Sequence, residues 1–287
     1  MTPRTVPSDG SAVAPAVIAG VLGAHAALKA LIFWGPYQAH VAVPIERATG
    51  GLVTAITLAG LLSWAVLVAG GMIGAGRLRL ADLGLSAERL RDAGPVLVGL
   101  WLAVQIGHAA VGTAAGDLAF AADVGLPQTA LQAAGLRIQA VVGSGLLEEV
   151  LYRSFLLIQV FAWLRPRTTR ERALVWAVVA SSLYFGINHV PAYLRAGLPP
   201  AEVAVFAAQS ALVGGLFGML FLRTGNLFVV AGAHALINDP IPLFATVVDP
   251  ALIVLVGVAA LVLCWPLLSR RVGRVFTVGS LEGVPVA

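Results

Sequence analysis

The sequence predicts an all-α membrane protein, a polytopic bundle of about eight transmembrane helices. Of its 287 residues, 59% are hydrophobic and only 11% are charged, and the mean hydropathy is +0.92. A soluble domain carries about 25% charged residues, so a soluble fold is excluded. Apolar runs of the length that a helix needs to cross about 30 Å of hydrocarbon recur along the chain. Between them lie short breaks that are charged or rich in proline and glycine.

Each apolar run is interpreted as one helix. In chain order the runs cover approximately residues 12–33, 52–73, 94–112, 138–164, 173–189, 201–222, 227–243 and 251–268. Two of them are interrupted, the first by His25 with Lys29 and the seventh by Asp239-Pro240. Because no internal repeat or low-complexity linker is visible, we expect one helical domain. We divide it into N-terminal helices with a cytoplasmic segment (1–137), a C-terminal helical core (138–268) and a cytoplasmic tail (269–287).

The arginines predict the orientation, because short cytoplasmic loops retain basic residues. With the N-terminus inside, the cytoplasmic side holds thirteen arginines: Arg4, Arg77, Arg79, Arg89, Arg91, Arg165, Arg167, Arg170, Arg172, Arg223, Arg270, Arg271 and Arg274. The opposite side holds three: Arg47, Arg137 and Arg195. This imbalance indicates that both termini are cytoplasmic. Residues 80–91 fit either a helix lying along the interface or a solvated loop.

The remaining composition restricts partners and compartment. Basic residues are spread over short loops without a patch of interleaved aromatic residues, so the lipid bilayer is an expected partner and nucleic acid is not. The single cysteine, Cys264, excludes a disulfide framework and a Cys/His zinc knuckle. Seventeen arginines against one lysine, with abundant alanine, glycine and valine, indicate a bacterial source. The expected location is therefore the bacterial cytoplasmic membrane, with the first run retained as a helix.

The fourth run contains ionisable residues within G-S-G-L-L-E-E-V-L-Y-R-S-F-L-L, residues 143–157. A charge at the bilayer centre costs about 2.5–3.5 kcal/mol on insertion scales, so such residues are paired or functional. Glu149 and Arg153 are four residues apart, the spacing of a helical ion pair. Glu148 is then expected to be unpaired. Gly143 and Gly145 lack side chains and would let a neighbouring helix or a substrate approach.

Two further runs carry polar pairs at one-turn spacing. The fifth ends in F-G-I-N-H, with Phe185 and His189 on one face, and the seventh contains H-A-L-I-N, with His234 and Asn238 on one face. Carboxylate, imidazole and amide groups together can hydrolyse a peptide bond with an activated water. Each group also has a structural explanation, an interhelical hydrogen bond or a helical ion pair. No serine or cysteine at a suggestive spacing from a histidine favours a covalent mechanism.

Other polar residues lie on runs that contain no acidic residue. His25 with Lys29 is in the first run, and His108 beside Gln105 is in the third. We expect these side chains to form interhelical hydrogen bonds or to mark helix ends.

The three motifs carry a family resemblance. Glu-Glu-x-x-x-Arg, Phe-x-x-x-His and His-x-x-x-Asn follow one another in order over residues 138–268. This part of the chain resembles the CPBP family of intramembrane proteases (CAAX proteases and bacteriocin-processing enzymes, or Abi family), related to the Ras-converting CAAX prenyl endopeptidase. The resemblance implies that Glu148 activates water while Glu149 and Arg153 support it. It also implies that His189 holds or polarises that water, and that His234 and Asn238 stabilise the oxyanion.

The resemblance leaves the cofactor open. Glu148, His189 and His234 are the ligand set for a divalent metal such as zinc, but a metal-independent glutamate mechanism is favoured. The expected activity is that of an endopeptidase acting on a peptide or membrane-protein substrate. Two alternatives are a non-proteolytic scaffold or immunity protein, in which the polar groups serve helix packing, and a proton-coupled transporter with Glu148 as a relay. The transporter is disfavoured because no paired halves with broken helices are visible.

Overall fold

The protein is almost entirely helical. A computed structural model describes residues 12–34, 36–121, 129–245 and 247–271. In this part of the chain, six helices are long and apolar enough to cross a membrane, and Leu227–Asn238 is a shorter apolar helix. The predicted all-α membrane fold is therefore confirmed, whereas the orientation and the exact number of crossings stay predictions.

The elements follow the predicted runs closely. The α-helices are α1 (Pro15–Trp34), α2 (Val43–Ala48), α3 (Ala55–Ser63), α4 (Ala87–Ala115), α5 (Ala130–Ile138), α6 (Leu146–Glu149), α7 (Ile158–Leu164), α8 (Arg170–Ile187), α9 (Val190–Arg195), α10 (Pro200–Thr224), α11 (Leu227–Asn238) and α12 (Pro250–Arg271). Wider π-helical segments are π1 (Gln38–Ala42), π2 (Trp64–Ala75), π3 (Gln139–Gly145) and π4 (Val150–Leu157). A short antiparallel pair, β1 (Ala119–Phe120) and β2 (Phe244–Ala245), joins two loops.

The fourth run is one continuous helical stretch that alternates between α and π geometry, through α5, π3, α6, π4 and α7. It begins at a capping box formed by Thr129 and Gln132, eight residues earlier than predicted at the start of the apolar run. The two predicted glutamates lie in the four-residue segment α6, between two π segments. Such π turns often occur at functional sites, because the wider turn changes which side chains share a face.

Glycines allow the helices around this stretch to approach closely. A Cβ atom on Gly60 of α3 would lie 2.6 Å from the Cα atom and from the carbonyl oxygen of Gly143. A Cβ atom on Gly145 would lie 3.1 Å from the carbonyl oxygen of Ala231 in α11. The predicted close approach of neighbouring helices at Gly143 and Gly145 is thus confirmed, and it brings α3 and α11 against the Glu148 segment.

The first helix is attached to the same bundle by hydrogen bonds. The backbone N–H of Val13 donates to Gln159 Oε1 at 2.8 Å. The Tyr184 hydroxyl donates to the carbonyl oxygen of Leu22 at 3.0 Å, and Arg195 donates to the carbonyl oxygen of Phe33. These contacts hold α1 and the residues before it against α7, α8 and α9.

Two further boundaries differ from the expectation. Residues 80–86 form turns, and a helix begins only at Ala87, capped by the Ser86 side chain, so the interfacial helix over 80–91 is wrong and the loop interpretation holds there. Arg79 pairs with Asp82 across the turn at 2.9 Å, which holds the pKa of Asp82 below its usual range. The seventh helix ends at Asn238 rather than near residue 243, because Asp239-Pro240 does not continue it.

Candidate active site

A cavity of about 320 Å³ lies between α1, α3, π3, α6, π4, α9 with the turn that precedes it, and α11. Its polar lining consists of His25, Lys29, Ser63, Gln139, Ser144, Glu148, Asn188, His189, His234 and Asn238. Four of the six site residues predicted from sequence therefore face one space. The other two, Glu149 and Arg153, are completely buried beside it.

The two adjacent glutamates have different environments. The Glu148 side chain is 12% exposed and lines the cavity, whereas the Glu149 side chain is 0% exposed. Glu148 Oε1 lies 3.6 Å from Lys29 Nζ, and Oε2 lies 3.9 Å from His234 Nε2. The expectation that Glu148 is unpaired is wrong, since the partner comes from α1, which sequence spacing does not relate to α6.

Glu149 and Arg153 form the predicted ion pair. Arg153 Nε donates to Glu149 Oε2 at 2.8 Å, and Arg153 Nη1 donates to Ser181 Oγ at 3.0 Å. Ser181 in turn donates to the carbonyl oxygen of Tyr152 at 2.8 Å. The guanidinium also lies 5.3 Å from the centre of the Phe185 ring, a cation–π distance. The pair therefore ties α6 and π4 to α8.

His234 is oriented by Glu149. Its Nδ1 lies 2.9 Å from Glu149 Oε1, and the ion-paired carboxylate can only accept, so Nδ1 carries a proton and donates. The other ring nitrogen, Nε2, is directed to Glu148. Glu149 thus joins Arg153 to His234, a connection that the i,i+4 spacing alone does not reveal.

The His189 ring is also oriented by a hydrogen bond from its Nδ1, in this case to a backbone carbonyl near the end of α8. It lies in the turn after α8, and its Nδ1 donates to the carbonyl oxygen of Phe185 at 2.8 Å. The donation leaves the neutral Nε2 as an acceptor. The chain continues past Pro191 as α9, so His189 is held between two helices and reaches the cavity.

Asn238 lies at the last residue of α11, one turn beyond His234. Its Nδ2 donates to Ser144 Oγ at 3.0 Å, which uses one of the two amide N–H groups. Ser144 was not predicted as a site residue. The signal that could have identified it is its position between Gly143 and Gly145, where a close approach of a helix or a substrate was predicted.

The first helix contributes two polar groups that were also missed. His25 is 4% exposed and its Nδ1 lies 3.3 Å from the Tyr184 hydroxyl, so its predicted interhelical hydrogen bond is confirmed. Lys29 instead pairs with Glu148 of α6 at 3.6 Å, so an interhelical ion pair takes the place of the expected hydrogen bond. The sequence contained a signal for this pair, because a cation inside a membrane needs a counter-charge and the first run has no acidic residue of its own.

The polar pair of the third run lies elsewhere. Gln105 Oε1 accepts from the backbone N–H of Leu243 at 2.7 Å, so it bonds to the loop after α11. His108 is 0% exposed, and in the described part of the chain neither ring nitrogen has a hydrogen-bond partner. The expected interhelical hydrogen bond of His108 is therefore wrong.

A metal ion requires several ligands that converge. Among the described residues, no three His, Cys, Asp or Glu side chains are grouped closely enough to hold one. The Glu148, His189 and His234 set that sequence analysis considered does not fit a three-ligand zinc site in this arrangement.

The family comparison agrees with the motif positions. A family model described as type II CAAX prenyl endopeptidase Rce1-like matches residues 130–238, from the start of α5 to the end of α11. Comparison with curated proteins and with solved structures found no match. The matched segment contains all six predicted site residues but excludes α1, and with it His25 and Lys29.

Proposed function

We propose that this chain, whose residues 130–238 match the type II CAAX prenyl endopeptidase Rce1-like family model, hydrolyses a peptide bond inside the membrane. One observation carries the proposal. Glu148 shares a cavity with His189, His234 and Asn238, whereas Glu149 does not reach that cavity. A carboxylate that faces a space large enough for water and a peptide chain can act as a general base.

The first step is the activation of water by Glu148. The carboxylate removes a proton from a water molecule, and the water oxygen forms a bond to the substrate carbonyl carbon. His189 holds the water through its free Nε2, because its Nδ1–H is committed to Phe185. A fixed histidine tautomer favours this acceptor role and needs no change of protonation during the step.

The second step is stabilisation of the oxyanion that forms on the substrate. Asn238 has a second amide N–H beyond the one given to Ser144, and an amide donor needs no protonation. His234 can donate through Nε2 only as an imidazolium ion, since its Nδ1–H is directed to Glu149. Asn238 is therefore the primary donor, with His234 supporting it. Glu148 then gives its proton to the leaving amine as the C–N bond breaks.

The supporting residues act through position. Arg153 neutralises Glu149, and Glu149 orients His234. We assign residues 138–268 as the catalytic core, 1–137 as helices that complete the cavity and 269–287 as a cytoplasmic tail. A bacterial cytoplasmic membrane location fits the arginine-rich composition. In that setting leader-containing peptides or membrane-protein tails are more plausible substrates than prenylated proteins.

The test is cleavage of a peptide library by the purified protein in lipid nanodiscs, read by mass spectrometry. Glu148→Gln keeps the shape of the side chain but cannot take up the proton, so cleavage should fall by about 10²- to 10⁴-fold. Glu202→Gln makes the same change at an exposed position in the first turn of α10 and should cleave normally. A wild-type protein that cleaves no peptide would favour the scaffold, and a fully active Glu148→Gln would remove Glu148 as the base.

A further inference from the structure

Lys29 is the only lysine in the sequence, beside seventeen arginines. It lies on α1 in a membrane-spanning helix, and its side chain lines the cavity with 20% of its surface exposed. Its ammonium is 3.6 Å from Glu148 Oε1 and 5.9 Å from the centre of the Phe33 ring. A cation within a membrane-spanning helix is expensive unless it is paired or has a functional role.

The two oxygens of the Glu148 carboxylate face basic side chains on two different helices. Oε1 faces Lys29 on α1, and Oε2 faces His234 on α11. The other nearby cation, Arg153, is fully buried, is bonded to Glu149 and Ser181, and does not line the cavity. Among the described residues that line the cavity, Lys29 is thus the basic side chain other than histidine that can respond to a change of charge on Glu148.

We infer that Lys29 is a positioning residue of the hydrolytic reaction, which compensates the negative charge as it moves from Glu148 to the substrate oxyanion. The inference rests on the proposed function. At rest, Lys29 keeps Glu148 as a carboxylate and directs Oε1. After proton transfer Glu148 is neutral, the former C=O electron pair resides on the oxyanion, and the total charge around Lys29 is unchanged. The cation is never left without a counter-charge.

A lysine suits this role better than an arginine. Its ammonium is a compact charge on a flexible stem, so it can follow a charge that shifts by a few ångströms, whereas an arginine presents a planar fork to one carboxylate. Because α1 lies outside residues 130–238, the inference also gives the N-terminal helix a role in the chemistry. Its contacts to Gln159 and Tyr184 keep Lys29 in place.

Substitutions separate this role from substrate binding and folding. In Lys29→Met, kcat should fall by on the order of 10²-fold, similar to the loss of one oxyanion donor, while KM changes little. Lys29→Arg retains the charge and should recover part of kcat. The control is Arg91→Met, which removes an exposed charge at the start of α4 and should leave kcat unchanged. A Lys29→Met protein with normal kcat would overturn the inference.

Chemical modification provides a second measurement on the folded wild-type protein. Acetylation of Lys29 removes the charge, whereas reductive methylation keeps it. Acetylated protein should lose most of its kcat, and methylated protein should retain more of it. Lys29→Arg has no lysine, so the same reagents modify only its N-terminus and should not change its activity. Equal kcat after acetylation and methylation would overturn the inference, even if Lys29→Met failed to fold.

Different results would contradict the role of Glu148 as the base and the role of Lys29 as a positioning residue. If the wild type cleaves peptides and Glu148→Gln does not, but neither Lys29→Met nor acetylation reduces kcat, only the role of Lys29 is wrong. If Glu148→Gln cleaves as well as wild type, the proposed base is wrong, and the role of Lys29 is overturned with it.

Discussion

Replacing Glu149 with glutamine tests whether the second glutamate is structural. The change removes a negative charge from a position that is 0% exposed and leaves Arg153, also 0% exposed, without its counter-ion. Breaking a buried ion pair by removing one partner costs about 3–5 kcal/mol. The glutamine carbonyl can still accept from Arg153, and Ser181 and the Phe185 ring remain beside the guanidinium. We therefore expect a loss near 3 kcal/mol, the lower end of that range.

The same substitution should affect activity less than stability. Arg153 and the Nδ1–H of His234 are bonded to different oxygens of Glu149, and a glutamine has an oxygen at only one of these two positions, so one of the two donors loses its acceptor. Loss of an orienting partner of this kind reduces activity by about 10- to 100-fold around metal sites, and we expect the lower end here because Glu148 and Asn238 are unchanged. The protein should therefore still cleave peptides measurably.

The assay is a denaturant titration of the purified protein in mixed micelles, beside peptide cleavage at a temperature where both variants are folded. Glu202→Gln is the matched control, since it makes the same change on the surface and should alter the free energy of unfolding by less than about 0.5 kcal/mol. A Glu149→Gln protein that is as stable as wild type but inactive, beside an active Glu148→Gln, would reverse the roles of the two glutamates.

Three further predictions concern packing, metal and orientation. Gly60→Ala places a Cβ atom 2.6 Å from the backbone of π3 and should lower stability by about 1–3 kcal/mol, whereas Gly99→Ala, with nothing within 4 Å of the added atom, should leave the denaturation midpoint nearly unchanged. Dialysis against a strong chelator should leave peptide cleavage intact, because Glu148 and its histidines do not converge as metal ligands; activity that is lost and then restored by zinc would contradict this. In a Cys264→Ser background, Pro166→Cys should react with a membrane-impermeant maleimide only from the cytoplasmic side and Ala196→Cys only from outside, and the reverse pattern would invert the orientation.

Hydropathy was enough to predict the long helices, because the cost of exposing backbone polar groups to lipid determines where a spanning helix lies. The observed bounds differ from the predicted ones mainly at the ends. There, caps such as Thr129 and Ser86, and the break at Asp239-Pro240, decide where helical hydrogen bonding begins and ends. The π segments were not predicted, since residues in π and α turns have the same hydropathy.

The motif residues could be grouped from sequence for a similar reason. Polar side chains at one-turn spacing share a face, and inside a membrane that face must meet other polar groups or water. Their detailed partners could not be predicted. The hydrogen bond from His234 to Glu149 and that from Asn238 to Ser144 depend on how α11 packs against π3 and α6, and the glycines at that contact only indicate that the approach is close.

The partner of Glu148 could nevertheless have been predicted from the balance of charges in the apolar runs. Apart from Glu202 and Asp239 near the ends of their runs, the eight apolar runs contain four charged residues, Lys29, Glu148, Glu149 and Arg153. Their charges sum to zero. Once the i,i+4 spacing pairs Glu149 with Arg153, Lys29 is the cation left for Glu148, because neither charge is stable alone in hydrocarbon. Charge balance over all spans therefore predicts a contact between α1 and α6 that neither periodicity nor motif spacing contains, and the 3.6 Å separation of the two groups agrees with it.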